Sequence, residues 1–271
     1  MGTLLALGSA VGYGVADFAG GLLARRVPFA TVAFLGQLGG VALAAVALVA
    51  PGSPSTVDIL WGGLSGVGTG VGMLFLFRGL SRGSMSVVVP TSAIGGMVLP
   101  VLVGVALLGE RPSPLSWLGV AVAVPALWLV SRSGGGTTAA PDGLIASVGI
   151  ATQYLALAQA SPEAGLWPVL AGRVTGLLTV LPLFITTRRA PRPRPRTTLA
   201  CCAAGAAAAL ALILFRLAAQ QQLVAIAVVL SSLYPAIPVL LGITALRERL
   251  SRRQAFGLVA AAIAIPLLAH S

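Results

Sequence analysis

The sequence predicts an all-α polytopic membrane protein in which ten transmembrane helices form two inverted five-helix repeats. Three observations lead to this fold class. The chain matches itself at a fixed offset, its composition is too apolar for a soluble domain, and apolar stretches long enough to span a bilayer recur along its whole length.

The self-match joins residues 77–119 to residues 215–257 without a gap. Phe77–Arg78 falls on Phe215–Arg216, and Pro100 falls on Pro238. Because the shift is about half of the 271 residues, the self-match predicts that the chain consists of two copies of one structural repeat. We therefore expect a first five-helix repeat at residues 1–133, a linker at 134–141 and a second five-helix repeat at 142–271.

The composition places both repeats in a membrane. Hydrophobic residues make up 57% of the chain and charged residues 8%, against roughly 45–50% and 25% in soluble proteins. A bilayer core of about 30 Å needs about 20 apolar residues per helix. The predicted spans are 4–24, 29–49, 59–79, 85–108, 114–130, 143–161, 166–186, 197–217, 223–246 and 254–269.

The odd number of spans in each repeat sets their relative orientation. After five crossings the second repeat enters the membrane upside down relative to the first, which makes an inverted-topology repeat. This arrangement is typical of secondary transporters, whose substrate site lies near the bilayer midplane between the two halves.

The charge distribution predicts orientation and partners. The formal net charge is +11, and all 17 basic residues are arginines. Fourteen of them lie in the loops of one face, which the positive-inside rule assigns to the cytoplasm, so both termini are predicted outside. Arginines at span ends, without a recognition motif, indicate the lipid bilayer of the plasma (inner) membrane as partner and no nucleic acid.

A duplicated motif closes each repeat. It reads Leu107-Leu108-Gly109-Glu110-Arg111 before Gly119, and Ala245-Leu246-Arg247-Glu248-Arg249 before Gly257. With these motifs, the chain resembles the EamA-type family of the drug/metabolite transporter superfamily over nearly its whole length. The resemblance implies a ten-helix fold, alternating access, and export or exchange of small metabolites. Many members that resemble this pattern carry basic residues at the N-terminus, giving cytoplasmic termini, whereas this chain begins Met1-Gly2-Thr3.

Two charged residues inside predicted spans are the leading candidates for a substrate site. A charge in a span costs several kcal/mol unless it is paired or lines an aqueous cavity. Asp17 would bind a proton or a substrate ammonium, and Arg173 would hold a carboxylate or phosphate through its bidentate fork. Their backbones differ in depth by roughly 9 Å, a gap that two side chains or a zwitterion could bridge. A structural ion pair, or Asp17 reaching toward Arg25, is the competing interpretation.

Further polar residues in the spans complete the candidate set. Aligning residues 35–37 with residues 171–173 makes Gln37 the counterpart of Arg173, so the side chains differ where the repeat is symmetric. The remaining substrate-binding candidates are Tyr13, Thr91, Ser92, Gln153, Tyr154, Ser231 and Tyr234. Serine and threonine in membrane helices also bond to their own backbone or join helices, which is the structural alternative for them.

The predicted function is a secondary transporter that exports or exchanges a small polar metabolite, amino-acid-like or drug-like, with a proton as candidate coupling ion. No metal-ligand cluster or catalytic motif occurs in the sequence, so no cofactor and no enzymatic activity are predicted. Two alternatives remain open: a membrane-embedded enzyme acting on lipid, and a non-transporting receptor or scaffold. The protein is expected to be a monomer or a homodimer. Cys201 and Cys202 are interpreted as packing residues in a helix.

Overall fold

A computed structural model describes residues 2–108, 113–132, 139–187, 193–221, 234–247 and 250–268. This part of the chain is all-helical, with ten α-helices, two short 3-10 helices at Ala45–Leu48 and Pro162–Ala164, and no strand. The α-helices are α1 (Gly2–Ala24), α2 (Phe29–Ala44), α3 (Thr56–Arg82), α4 (Met85–Leu108), α5 (Pro114–Arg132), α6 (Ala140–Ala158), α7 (Trp167–Thr186), α8 (Pro195–Gln221), α9 (Ala236–Thr244) and α10 (Arg252–Leu268).

The helices are those of a polytopic membrane protein. Five segments of the described chain are long and apolar enough to cross a bilayer: Gly2–Ala24, Phe29–Leu48, Thr56–Arg82, Trp167–Thr186 and Pro195–Ala218. Shorter apolar helices occur at Met85–Gly96 and Trp117–Ala126. Large apolar side chains such as Leu4, Leu60 and Leu199 are about 70% exposed. A surface of this kind is suited to lipid, where apolar side chains need no burial in protein.

The predicted spans correspond in order to the observed helices, with ends that shift by a few residues. The ninth span, 223–246, lies only partly in the described chain, where α9 covers Ala236–Thr244. The Glu-Arg pairs of the duplicated motif and the predicted site residue Ser231 lie outside the described residues. The boundaries of the two repeats stay predictions.

Local sequence explains several helix ends. Ser55 caps α3 with a reciprocal capping box, in which its hydroxyl accepts from the Asp58 amide and Asp58 accepts from the Ser55 amide. Proline lies in the first turn of α6 and of α7, where its missing N–H costs nothing. Gly165, before α7, has a φ of 57°, which favours glycine.

Helices of the two halves of the chain pack against each other in a reciprocal pattern. In the first half, α1 and α2 pack on α8 of the second half. In the second half, α6 and α7 pack on α3 of the first half. The last helices of the halves, α5 and α10, pack against each other. The third helix of each half is therefore the support for the first two helices of the other half.

Glycines allow this close packing. A Cβ on Gly66 of α3 would overlap Thr175 and the Gly172 carbonyl of α7. A Cβ on Gly205 of α8 would overlap the Gly36 carbonyl of α2. Gly62, Gly66 and Gly70, spaced four residues apart on α3, all face α7, so this stripe of small residues allows close contact between the two helices.

Polar contacts join the halves at both ends of the bundle. At the Asp58 end, defined by Asp58, Ser161 and Arg216, the Asp58 carboxylate accepts from the Ser161 amide at 2.7 Å. Within the second half, Arg216 donates to the Ser161 carbonyl at 3.0 Å and so holds the loop that Asp58 contacts. At the opposite, Arg78 end, Arg78 lies 3.5 Å from the carboxylate of Asp142. Each end thus carries a polar link between the first and the second half.

The glycine contact between α3 and α7 predicts a stability difference between two neighbouring substitutions. Gly66→Ala should lower the free energy of unfolding, since overpacking typically costs about 1–3 kcal/mol. Gly63→Ala is the matched control, because its Cβ would lie at an ordinary 3.6 Å from Thr175 Cγ2. Thermal melting of the purified variants measures the difference, and equal melting temperatures would contradict the packing.

The Asp58 link predicts a local effect on backbone exchange. Asp58→Ala removes the acceptor for the Ser55 and Ser161 amides, so both amides should exchange with solvent deuterium faster than in the unsubstituted protein. Glu163→Gln, which changes an exposed carboxylate in the adjacent turn, is the control and should leave the exchange rates as they are. Unchanged exchange at Ser161 after Asp58→Ala would show that the link does not hold the loop.

Candidate functional site

A cavity of about 70 Å³ lies between the two halves of the bundle. Helices α1, α2 and α3 of the first half line it together with α6, α7 and α8 of the second half. Since a cavity needs about 10–15 Å³ of this volume per water molecule, the space holds about five to seven waters. Its ionisable and polar side chains are Tyr13, Asp17, Thr69, Gln153, Tyr154, Arg173, Cys201 and Tyr234.

The cavity extends toward the Arg78 end of the bundle. Val32 in the first turn of α2, Phe77 near the end of α3 and Cys201 near the start of α8 line it there. At the other side its lining stops at Tyr154 and Arg173, before the Asp58 end. The polar links of the Asp58 end therefore lie beyond the side at which the cavity lining stops.

Arg173 is held in place by backbone contacts. It is only 3% exposed, and its guanidinium donates to the Ala208 carbonyl of α8 at 3.1 Å. Its stem packs on Gly40 of α2, where a Cβ would lie 3.2 Å from Arg173 Cδ. A glycine at this position makes room for the long side chain, which then reaches the cavity.

Asp17 and Arg173 share the cavity without forming an ion pair. Among the described residues, no carboxylate oxygen lies within 4.0 Å of the Arg173 guanidinium. Asp17 comes from α1 and Arg173 from α7, so the two halves each contribute one charge. The structural ion pair that competes with a binding role is therefore not formed, and both charges face a space of molecular size.

The tyrosines surround these charges. Tyr13 and Tyr234 have ring centroids 5.9 Å apart with planes tilted by 52°. The Tyr13 hydroxyl is buried without a hydrogen-bond partner, although it faces Arg173 and Gln153. A buried hydroxyl without a partner costs about 1–3 kcal/mol, which a ligand or an ordered water would recover.

Gln153 is positioned by the contact between α6 and α3. The backbone carbonyl of Gln153 accepts a hydrogen bond from the Ser65 hydroxyl at 2.9 Å. A Cβ on Gly68 would lie only 2.7 Å from the backbone nitrogen of Gln153. Glycine at 68 therefore lets α6 approach closely enough for the Gln153 side chain to line the cavity.

Six of the ten predicted site residues line this one cavity. They are Tyr13, Asp17, Gln153, Tyr154, Arg173 and Tyr234. Three others do not: Gln37, Thr91 and Ser92 lie in the packed interior beside it. Ser92 donates to the Val89 carbonyl of its own helix at 2.9 Å, as serine in membrane helices often does. The tenth, Ser231, is outside the described chain.

Gln37 is separated from the cavity by a methionine. Its side-chain amide donates to Met73 Sδ at 3.1 Å and packs on Gly176, while its oxygen Oε1 is buried without a partner. Met73 itself lines the cavity. The Gln37 side chain is thus too short to reach the cavity past Met73 of α3.

Several lining residues had no signal in the sequence analysis. Met73 and Val32 are ordinary apolar residues of a span, and only the fold brings them to the cavity. Phe77 begins the self-match and could have been singled out on that basis. Cys201, interpreted as a packing residue, is buried and also lines the cavity.

The described residues include no group of three His, Cys, Asp or Glu side chains that could hold a metal ion. Asp17 is the carboxylate that lines the cavity. Chemically, the arrangement can bind one positive and one negative group at the same time.

Comparison with known proteins supports a transporter architecture. Residues 1–132 match the EamA-like transporter family. A search of curated proteins finds no match. A protein crystal structure is similar to the whole chain, with a TM-score of 0.63, 19% sequence identity, and coverage of 100% of this chain and 99% of the other. At this identity the likeness shows a shared fold alone. By its sequence, the segment of residues 1–132 is therefore similar to the EamA-like transporter family, which is part of the drug/metabolite transporter superfamily.

Proposed function

We propose that the protein is a secondary transporter that exports or exchanges a small polar metabolite, amino-acid-like or drug-like, by alternating access. The observation that carries the proposal is that Asp17 and Arg173, one from each half, line a common cavity without pairing. Buried charges that stay apart are costly in a membrane protein, so their separation is best explained by a ligand or water between them. Members of the family are transporters and not enzymes.

The charges suit a zwitterion. The Asp17 carboxylate attracts an ammonium group, and the Arg173 guanidinium has free donors for a carboxylate besides the one it directs at Ala208. A volume equal to about five to seven waters matches a molecule of amino-acid size. The same carboxylate is the candidate site for a coupling proton, since a proton and a cation would compete for it.

Alternating access is supported by a symmetric contact between α2 and α7. Gln37 packs on Gly176, and Arg173 packs on Gly40. Gln37 and Arg173 occupy equivalent positions in the two repeats, and Gly40 and Gly176 do so at the same offset. The exchanged packing of α1 and α2 on α8, and of α6 and α7 on α3, follows the same relation. We infer an inverted repeat, with the substrate site between its halves.

In alternating access, the substrate site would then open in turn toward each of the two ends of the bundle. The cavity extends toward the Arg78 end and stops before the Asp58 end. Most arginines belong to the loops at the Arg78 end, which the positive-inside rule places in the cytoplasm. On this proposal the cavity extends toward the cytoplasm of the plasma membrane, and the links at the Asp58 end close the other side.

Substitutions of the two charges test the transport proposal. In proteoliposomes, Asp17→Asn and Arg173→Gln should each lower the flux of a labelled amino-acid panel by roughly 30-fold or more, because removing one partner of a buried charge contact costs at least about 2 kcal/mol. Glu163→Gln and Arg26→Gln are matched controls, since they make the same chemical changes at exposed positions. Both controls should transport at the unsubstituted rate.

Two results would contradict the proposal. Full flux in both cavity variants would remove the charges from the mechanism. Ligand binding that depends on Asp17 and Arg173 but is accompanied by no flux would identify a receptor instead of a transporter. Melting curves of each variant separate a loss of function from a loss of folding.

A further inference from the structure

Gln37 is a polar residue that the helix bundle leaves poorly satisfied. It lies on α2 and is fully buried. Among the described residues, its side-chain nitrogen Nε2 donates to Met73 Sδ at 3.1 Å, and its oxygen Oε1 is buried without a hydrogen-bond partner. A thioether is a weak acceptor, and a buried amide oxygen without a donor costs free energy. An apolar side chain would fill the same space without this cost, so the amide indicates a partner that packing does not supply.

Met73 stands between this amide and the cavity. Its sulfur contacts Gln37, and its methyl group covers Gly36, where a Cβ would lie 3.2 Å from Met73 Cε. Met73 and Gly36 both line the cavity. The end of the Met73 side chain is therefore the partition between the Gln37 amide and the space that Asp17 and Arg173 share.

Methionine is suited to a partition that moves. Its side chain is unbranched, has three rotatable bonds and adapts to irregular space. Met73 is half-buried and faces the cavity on one side, so its end can turn without a shift of α3. The Gln37 amide cannot withdraw in the other direction, because it packs on the backbone of α7, where a Cβ on Gly176 would lie 2.9 Å from Nε2. Once Met73 turns, the amide faces the cavity.

The position of Gln37 in the aligned repeats favours a binding role. Aligning residues 35–37 with residues 171–173 pairs Gln37 with Arg173. Each of the two side chains packs on a glycine of the other's helix, Gln37 on Gly176 and Arg173 on Gly40. Arg173 reaches the cavity. The two positions thus direct polar groups toward the same space, one charged and the other uncharged.

The two polar atoms of the Gln37 amide select the chemistry of the partner. Nε2 needs an acceptor and Oε1 needs a donor. A carboxylate would accept from Nε2 but would place a second acceptor against Oε1, and an ammonium would donate to Oε1 but offer Nε2 no acceptor. A carboxamide carries a carbonyl oxygen and an N–H group side by side, so it pairs with both atoms at once.

We propose that Gln37, behind Met73, forms a subsite for the carboxamide side chain of a zwitterionic substrate, and that Met73 turns aside to admit this side chain. The inference rests on the proposed transport function and adds the class of side chain that the site accepts. Gln37 is then a specificity-determining residue, which contacts the side chain of the substrate and not its charged groups.

Two amino acids that differ in the side chain test the subsite on the purified full-length chain. L-Glutamine carries the carboxamide, and L-norleucine carries an unbranched apolar side chain of similar length. Titration calorimetry should show L-glutamine binding about tenfold more tightly, the effect of two hydrogen bonds of ordinary net strength. Equal or tighter binding of L-norleucine, or no binding of either amino acid, would overturn the subsite.

A substitution of Gln37 tests the amide itself. Gln37→Leu removes both polar atoms at nearly unchanged volume, so the ratio of L-glutamine to L-norleucine affinity should fall by about tenfold. Gln159→Leu is the matched control, because it makes the same change at an exposed residue at the end of α6, and it should keep the ratio. An equal loss of both affinities in Gln37→Leu would show that the amide serves helix packing alone.

Met73→Ala tests the partition. It shortens the side chain that covers the amide, so the preference for L-glutamine should be kept or increased. Loss of the preference would show that Met73 itself contacts the substrate side chain, and it would overturn the role of Gln37. If Gln37→Leu does not fold, the ranking of the two amino acids on the unsubstituted protein and on Met73→Ala decides.

Flux measurements distinguish failure of the subsite from failure of the transport function. If an amino-acid panel is transported in a manner that depends on Asp17 and Arg173, while Gln37→Leu leaves the relative rates of L-glutamine and L-norleucine unchanged, the transport function stands and the subsite fails. If no member of the panel is transported, the transport function fails and the subsite fails with it.

Discussion

Close approach of helices at glycine is the constraint on which the rest of this structure depends. In a bilayer, helices gain little from hiding apolar surface and are held together by packing and by a few polar contacts. Gly66 and Gly205 remove the side chains that would keep α3 from α7 and α8 from α2. Because α3 and α8 belong to different halves, these contacts build the interface and the cavity at the same time.

The same close packing makes the buried charges possible. Arg173 can lie in the interior because Gly40 leaves space for its stem and because a carbonyl of α8 accepts from its guanidinium. Asp17 faces the cavity from the neighbouring half without meeting the arginine. A bundle with the same helices at a wider spacing would leave both charges without these supports. Close helix packing therefore supports both charges in the interior of the bundle.

A good part of the candidate site could be predicted from the sequence, since charged and bulky polar residues in apolar spans are costly without a purpose. Asp17, Arg173 and the three tyrosines stood out for that reason, and the fold brings all five to one cavity. Gln37 stood out as the counterpart of Arg173 in the aligned repeats, yet Met73 lies between it and the cavity. Side-chain length and the identity of a neighbour on another helix decide this difference, and neither can be read along one helix.

By itself, the sequence determined that the chain is helical and membrane-embedded, because apolar length and the scarcity of charge are properties of the order of residues. The self-match, another such property, predicts two repeats. Only the tertiary structure decided that α1 and α2 pack on α8 while α6 and α7 pack on α3. It also decided that Asp17 and Arg173 face each other across a space instead of pairing. These outcomes depend on contacts between residues far apart in the chain, which the periodicity of a single helix does not encode.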